Sequence, residues 1–235
     1  VSATERRIRA ELASGDRFLV LDFGREATNE RRALLGGATI ARRMETSDLR
    51  GRTMSVPSAR VHHWRGDVLL PGVRLASVIE ALQRDAPPPS EDVLASRVLD
   101  RGPGRMKVYL RLQRQRIVTV VYNTEHEVVF AGHGSRRATS TSTATKIAEV
   151  MAPDTTDERE LPPGEDRGFL WRLRSHWRYE EVDGGVIAEC ESLSLSRDVP
   201  SVVRYLVNPL IESTARESME RTLLSLRSRF AAHHP

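Results

Sequence analysis

A single cysteine, Cys190, excludes an internal disulfide, so no cross-linked framework holds this chain together. No apolar run approaches the roughly 20 residues that a membrane-spanning helix needs. The longest candidates are interrupted by Arg, Glu or His. Lysine is nearly absent. Arginine supplies almost all of the 36 basic residues, which stand against 32 acidic ones for a net charge of +4. The acidic residues are interleaved throughout and no long basic block occurs, so a nucleic-acid partner is not expected. The densest basic stretch, "RLQRQR" from Arg111 to Arg116, reads as a hairpin tip. No Gly-x-Gly-x-x-Gly follows a strand, and neither a Walker motif nor a nucleophile elbow is present. No period of 20–50 residues recurs, which excludes a solenoid. The chain begins at Val1 without a basic-then-apolar leader. It reads as a protein whose signal peptide has been removed, and an exported or periplasmic location is expected.

What is present describes a globular protein. The 235 residues are 39% hydrophobic and 29% charged, enough to bury a sizeable core. "ATERRIRAELASGD" predicts a short amphipathic helix that Gly15 ends. "RFLVLDF", Arg17 to Phe23, predicts a short buried strand, and "GGATIARRMET" another. "SARVHHWRGDVLLPG" alternates, with His62, Trp64, Gly66, Val68 and Leu70 on one face and Val61, His63, Arg65 and Asp67 on the other. "VRLASVIEALQRD" is a helix whose stripe is Leu75, Val78, Ile79 and Leu82. "APPPSED" breaks it and holds a short helical turn.

From Val93 the period changes to two. "VLASRVLD", "RMKVYLRL" and "RIVTVVYNTEHEVVF" are strands. The threonine-rich "RATSTSTATKIAEVM" is a strand as well, because threonine favours the pleated backbone. "APDTTDERELPPGEDRG" is a long acidic loop with the character of a functional flap. From Ser201 to Phe230 the chain is helical, with a kink or restart at Asn208-Pro209. Its apolar stripe is Ile211, Ala215, Met219, Leu223, Leu226 and Phe230, with Glu212, Arg216, Glu220 and Arg227 opposite.

Between the acidic loop and this helix lies "LWRLRSHWRYEEVDGGVIAEC", Leu170 to Cys190, with two tryptophans, a histidine and the cysteine. Asp183-Gly184 is a hairpin signal for a type I′ turn, which needs positive φ at both positions. That turn pairs Val182 with Gly185, Arg178 with Glu189, His176 with Glu191, Trp177 with Cys190, and Tyr179 with Ala188. One face then carries Arg178–Glu189 and His176–Glu191, expected as a wet, salt-bridged surface. The other sets Phe169, Trp171, Leu173, Ser175, Trp177 and Tyr179 against the small Ala188, Cys190 and Ser192. Large side chains beside small ones leave room above the sheet for a helix or a ligand.

No metal or cofactor is expected. His62 and His63 are adjacent on a strand, so they point to opposite faces and cannot share an ion. "TEHE", Thr124 to Glu127, lacks the helical His-Glu-x-x-His spacing. Cys190 reads as a small inward filler rather than a nucleophile. His126 and Tyr122 are the best acid–base candidates. At i, i+4 on a strand they are some 13 Å apart, too far for mutual contact.

The order of elements (strand, helix, proline-rich break, six antiparallel strands, long C-terminal helix) resembles the helix-grip architecture of the START/polyketide-cyclase (SRPBCC-type) superfamily over about Ser58 to Phe230. "HHWRGDVLLPGVRLASVIEALQ", "VYLRLQRQRIVTVVYNTEHEV", "ELPPGEDRGFLWRLRSHWRYEEVDGGVIAECESLSLSRDVP" and "VNPLIESTARESMERTL" also resemble the wording of a bacterial START-like family of unknown function. The resemblance implies an α+β fold in which a curved antiparallel sheet grips the last helix over an elongated cavity. It implies residues 58–232 as the ligand-binding domain and residues 1–57 as an N-terminal extension packed on it. Superfamily members bind lipids, sterols or polyketides, and a minority are cyclases or hydrolases. The expected function is therefore non-catalytic binding or transport of an apolar small molecule such as a lipid, isoprenoid or polyketide, with a cyclase or hydrolase acting on a hydrophobic substrate as the alternative. Transient contact with a membrane surface is expected with it. No catalytic residue carries over from the resemblance. The expected cavity residues are Trp64, Tyr122, His126, Trp171, Trp177, Tyr179, Cys190, Met219 and Leu223, because apolar walls with a few polar tips suit a small ligand.

Overall fold

The computed structural model describes residues 2–48, 50–115, 119–198 and 204–231. The elements in chain order are α1 (Ser2–Leu12), a 3-10 turn (Val20–Phe23), α2 (Ala27–Leu35), β1 (Thr39–Arg43), β2 (Ala59–Pro71), α3 (Leu75–Arg84), β3 (Val93–Gly102), β4 (Arg105–Gln115), β5 (Thr119–Gly132), β6 (Arg137–Met151), β7 (Arg159–Glu160), β8 (Arg172–Val182), β9 (Gly185–Arg197) and α4 (Arg204–Ala231). Every strand pairing is antiparallel, in the order β1-β2-β9-β8-β6-β5-β4-β3, with β7 added beside β6. The sheet is curved and unclosed, with the C-terminal helix against it. The fold is therefore the expected α+β helix grip.

Two layers of packing follow from the alternation of β2 and β9. Val68, Leu70, Ala188 and Cys190 face α3 and α4, where Leu75, Val78, Met219, Leu223 and Phe230 close a dry core. Gly66 belongs to this face. A Cβ placed there would lie 2.6 Å from Met219 Cγ and 2.7 Å from Leu223 Cδ1, so the missing side chain is what lets α4 approach β2. The N-terminus of α3 is capped across the fold, where Leu75 N–H donates to Glu181 Oε2 at 2.8 Å.

The hairpin of β8 and β9 has the expected register, with Trp177 opposite Cys190 and Arg178 opposite Glu189. Its turn is not type I′. Asp183 keeps a negative φ and only Gly184, at +92°, takes the left-handed value. The hairpin end is pinned by β2 instead: Gly72 N–H donates to Gly184 O at 2.8 Å, and a Cβ on Gly185 would fall 2.1 Å from Leu70 O.

Several sequence expectations are corrected. Residues 17–23 are not a strand. Their backbone donors go to carboxylates, Phe18 and Leu19 to Asp22, Val20 and Leu21 to Glu189, and the chain closes a 3-10 turn. Helix α2 follows where no element was expected. Residues 85–92 hold no helical turn. Helix α4 runs through Asn208-Pro209 as one element, without a restart. Of the expected hairpin tip Arg111–Arg116, residues 111–115 are the end of β4, paired with β5, while Arg116 and residues 201–203 of the expected C-terminal helix lie outside the described residues.

The largest correction concerns the charged face of β8 and β9. It is not wet: Arg178 is 2% exposed, Glu189 0% and Glu191 1%. Helix α1, the 3-10 turn and α2 lie over it. Arg178 donates to Phe18 O at 2.6 Å and to Glu11 at 2.5 Å. Arg7 pairs with Glu191, and Arg31 bridges Asp22 and Glu180. Beneath them Phe18, Leu19, Leu21, Leu34, Ile40 and Ile187 form a second apolar cluster.

Candidate functional site

The inward face of the sheet and the side of α4 do not meet everywhere. Between them lies a cavity of about 880 Å³, within the range typical of small-molecule pockets. Its walls come from β2, β4, β5, β6, β8, β9, α4, the stretch 85–93 and the loop before β8. Alternation delivers the apolar part: Met106, Val108, Leu110 and Leu112 from β4, with Val120, Val128 and Phe130 from β5. Trp177 and Tyr179, two apart on β8, stack at 6.1 Å with rings 5° from parallel.

Of the residues expected at a cavity, Trp64, Tyr122, His126, Trp177, Tyr179, Cys190 and Met219 lie in its wall. Leu223 is packed on Gly66 in the core and does not border the space. Trp171 is also outside the wall. Its indole N–H donates to Asp166 at 3.0 Å, and the Arg197 guanidinium lies 5.8 Å from its ring centre. His62 faces the cavity while its neighbour His63 points to the opposite, buried face, where it meets Glu191 at 2.7 Å. Among the described residues, no group of three or more His, Cys, Asp or Glu is placed to hold a metal ion.

The polar groups of the wall have definite states. His126 is buried, and burial lowers its pKa to about 4, so the ring is neutral at ordinary pH. Its Nε2 lies 3.0 Å from Thr124 Oγ1 and its Nδ1 3.3 Å from Ser142 Oγ. Burial, then the charge of Glu149, pushes the Tyr122 phenol upward. Among the described residues its hydroxyl has no hydrogen-bond partner in bonding geometry. Burial, then Glu191, likewise raises the Cys190 thiol, which leaves it unreactive.

Sequence reasoning placed Ser175 and Ser192 on the inward face but missed the charged residues and the other hydroxyls of the wall. Asp92 accepts from Ser218 at 3.0 Å and from Arg221 at 3.0 and 3.2 Å, with Arg114 3.3 Å away. Arg167, also in the wall, binds Glu149, which is not in it, through its backbone and side chain. Ser140, Ser142, Ser175, Ser192, Ser194 and Ser196 also line the space. The signal for the last three stands in the sequence as "SLSLS", a period-two run whose polar letters share one face. In the cavity wall, Phe169 is 51% exposed with the Arg167 guanidinium 5.8 Å from its ring.

No family model matches the chain, and no curated protein matches it. Solved structures do. A STAR-related lipid transfer protein from Xanthomonas axonopodis superposes with a TM-score of 0.50 at 20% identity, covering 80% of this chain and 98% of its own. Human StAR-related lipid transfer protein 5 gives 0.48 at 12% identity, covering 100% and 99%. The Zhui aromatase/cyclase from Streptomyces sp. R1128 gives 0.43 at 13% identity, covering 73% and 94%. The first of these carries the assignment of the fold.

Proposed function

We propose that this chain, which has the START-like helix-grip fold, binds one apolar small molecule in the cavity between the sheet and α4. The observation that supports this best is the cavity itself: about 880 Å³ with a largely apolar and aromatic wall. A well-packed interior leaves few voids larger than a water molecule. An apolar space of this size is instead suited to burying a lipid, isoprenoid or polyketide-like ligand, and the likeness to a STAR-related lipid transfer protein agrees with such a ligand class. Residues 58–232 are taken as the binding domain and residues 1–57 as its extension. Exposed Phe169 beside Arg167 suits transient contact with a membrane surface during loading. The test is native mass spectrometry of freshly purified protein, followed by displacement of a solvatochromic dye by fatty acids and isoprenoids. A bound mass removable by organic extraction and a saturable 1:1 displacement are expected. An empty protein that no lipid class occupies below about millimolar, the weak end of the affinity scale, contradicts the reading.

A second reading, hydrolysis of a hydrophobic ester in the same cavity, has one observation in its favour. His62 Nε2 lies 2.9 Å from Ser196 Oγ, a nucleophile–base contact on the cavity wall. Tyr122 and His126 support it less, because both ring nitrogens of His126 are engaged. Turnover of a fluorogenic long-chain ester that Ser196→Ala abolishes would favour this reading. Turnover unchanged in Ser196→Ala would remove it.

A further inference from the structure

The cavity wall is not uniformly apolar, and the register shows where it changes. Trp64 on β2 pairs with Ser192 on β9, Ser192 with Ser175 on β8, Ser175 with Ser142 on β6, Ser142 with Val128 on β5, and Val128 with Met106 on β4. All six residues line the cavity. One row across the sheet therefore begins at an indole, runs through three hydroxyls in register, and ends on two aliphatic side chains. Strands are spaced roughly 4.8 Å apart, so the three serines span roughly 10 Å.

The polarity of the row is fixed at Ser142. Thr124 Oγ1 donates to Leu110 O at 3.0 Å, which leaves the threonine oxygen to accept from His126 Nε2–H at 3.0 Å. With its proton on Nε2, the neutral ring presents bare Nδ1, and the Ser142 hydroxyl 3.3 Å away must donate to it. The oxygen of Ser142 then meets the cavity with lone pairs only. His126 is 3% exposed and buried against this relay, so no bulk water competes for the arrangement. Ser142, Ser175 and Ser192 are half-buried and face the cavity, so a ligand that fills it must replace whatever their hydroxyls bond to in its absence.

We infer that Ser142, Ser175 and Ser192 recognise the hydroxylated edge of a rigid, facially amphipathic ligand, with Ser142 accepting from a ligand O–H and the aliphatic side chains of β4 and β5 receiving the ligand's apolar part. The inference rests on the cavity being the binding site, and it selects oxygenated polycycles over simple acyl chains.

Cholate, deoxycholate and lithocholate test it directly. They share one ring system and one carboxylate and differ in carrying three, two or one hydroxyls. Their dissociation constants, with that of oleate as the acyl comparison, are measured by calorimetry below micelle-forming concentrations. Cholate is expected to bind about tenfold or more tighter than lithocholate, as one or two good hydrogen bonds would give. Ser142→Ala should lose most of that difference and the triple change S142A/S175A/S192A all of it. Lithocholate binding as tightly as cholate overturns the inference, as does a triple variant that keeps the cholate preference. Binding of oleate alone overturns it and leaves the cavity reading intact, whereas failure of all four probes overturns both.

Discussion

Cys190 sits opposite Gly66 on β2 and opposite Trp177 on β8, 3% exposed and bordering the cavity. Its thiol should label slowly in the native protein and quickly in denaturant, because burial both shields it and disfavours the thiolate. Fast native labelling would contradict the inward register. Cys190 stands where the core packed by α3 and α4 meets the cavity, so a leucine at this position has open space on one side. Unfolding free energy should change by less than about 1 kcal/mol, against the roughly 1–3 kcal/mol of an overpacked core, while ligand affinity falls. His126 makes a pH prediction. Its folded pKa, lowered to about 4 by burial, lies below the 6.5 of an unperturbed histidine. The unfolded chain therefore takes up a proton between these values that the folded chain refuses. This contribution to stability is complete above pH 6.5 and is lost as pH falls toward 4, by roughly 3 kcal/mol. His176, lowered to about 4 by burial and by Arg174, acts in the same direction. Urea unfolding at pH 7 and pH 4 should show a drop in stability that shrinks by about 2–3 kcal/mol in His126→Gln. An unchanged drop would mean that His126 is protonated in the folded protein.

At the scale of elements, Gly66 sets the distance between β2 and α4. A Cβ there overlaps Met219 and Leu223 at 2.6–2.7 Å. Met219 can turn aside more readily than Leu223, so Gly66→Ala should cost about 1–3 kcal/mol and Gly66→Val more. The readout is the denaturation midpoint with ligand affinity beside it. A neutral Gly66→Val would show that α4 stands off the sheet. The same strand shows what sequence made legible. Period-two alternation placed His62, Trp64 and Gly66 on the cavity side and His63, Arg65 and Asp67 on the other, because a strand has no third option. Asp183-Gly184 located the hairpin and its register for a similar local reason. The turn type was not legible, because β2 constrains Gly184 and Gly185 from outside the hairpin. Residues 17–23 were not legible either. Their apolar letters suit a strand, but the carboxylates of Glu189 and Asp22 collect their N–H groups, and Glu189 lies 168 positions from Leu21.

At the scale of the molecule, the charged face of β8 and β9 was misread because opposite-charge pairs look alike in sequence whether wet or covered. Here they are covered, and the cover is bound by ions. Glu189 accepts from the Val20 and Leu21 backbones at 2.6 and 2.9 Å, and burial, with Asp67 beside it, raises its pKa well above the usual carboxylate range. Burial alone would raise Glu191 too, but His63 and Arg7 outweigh it and hold its pKa down to about 2. Such pairs add little net stability, yet removing one partner strands the other in a dry place. Arg178→Met leaves Phe18 O without its donor and Glu11 with Arg7 alone, and should cost about 3–5 kcal/mol. It should also expose the first 35 residues to limited proteolysis before the sheet unfolds. Loss of stability without early cleavage there would mean that the apolar cluster around Leu19 and Leu34, not the ions, holds the cover.

The central claim is that the space between the sheet and α4 takes up one apolar molecule. Trp64 and Trp177 border that space, and the chain has three tryptophans in all. A variant with Trp171 replaced by Phe reports fluorescence from these two alone. Titration with a nitroxide-bearing steroid should quench it saturably at one probe per chain, and excess unlabelled ligand should restore it. Quenching that rises linearly without saturation, or none at all, would contradict the account.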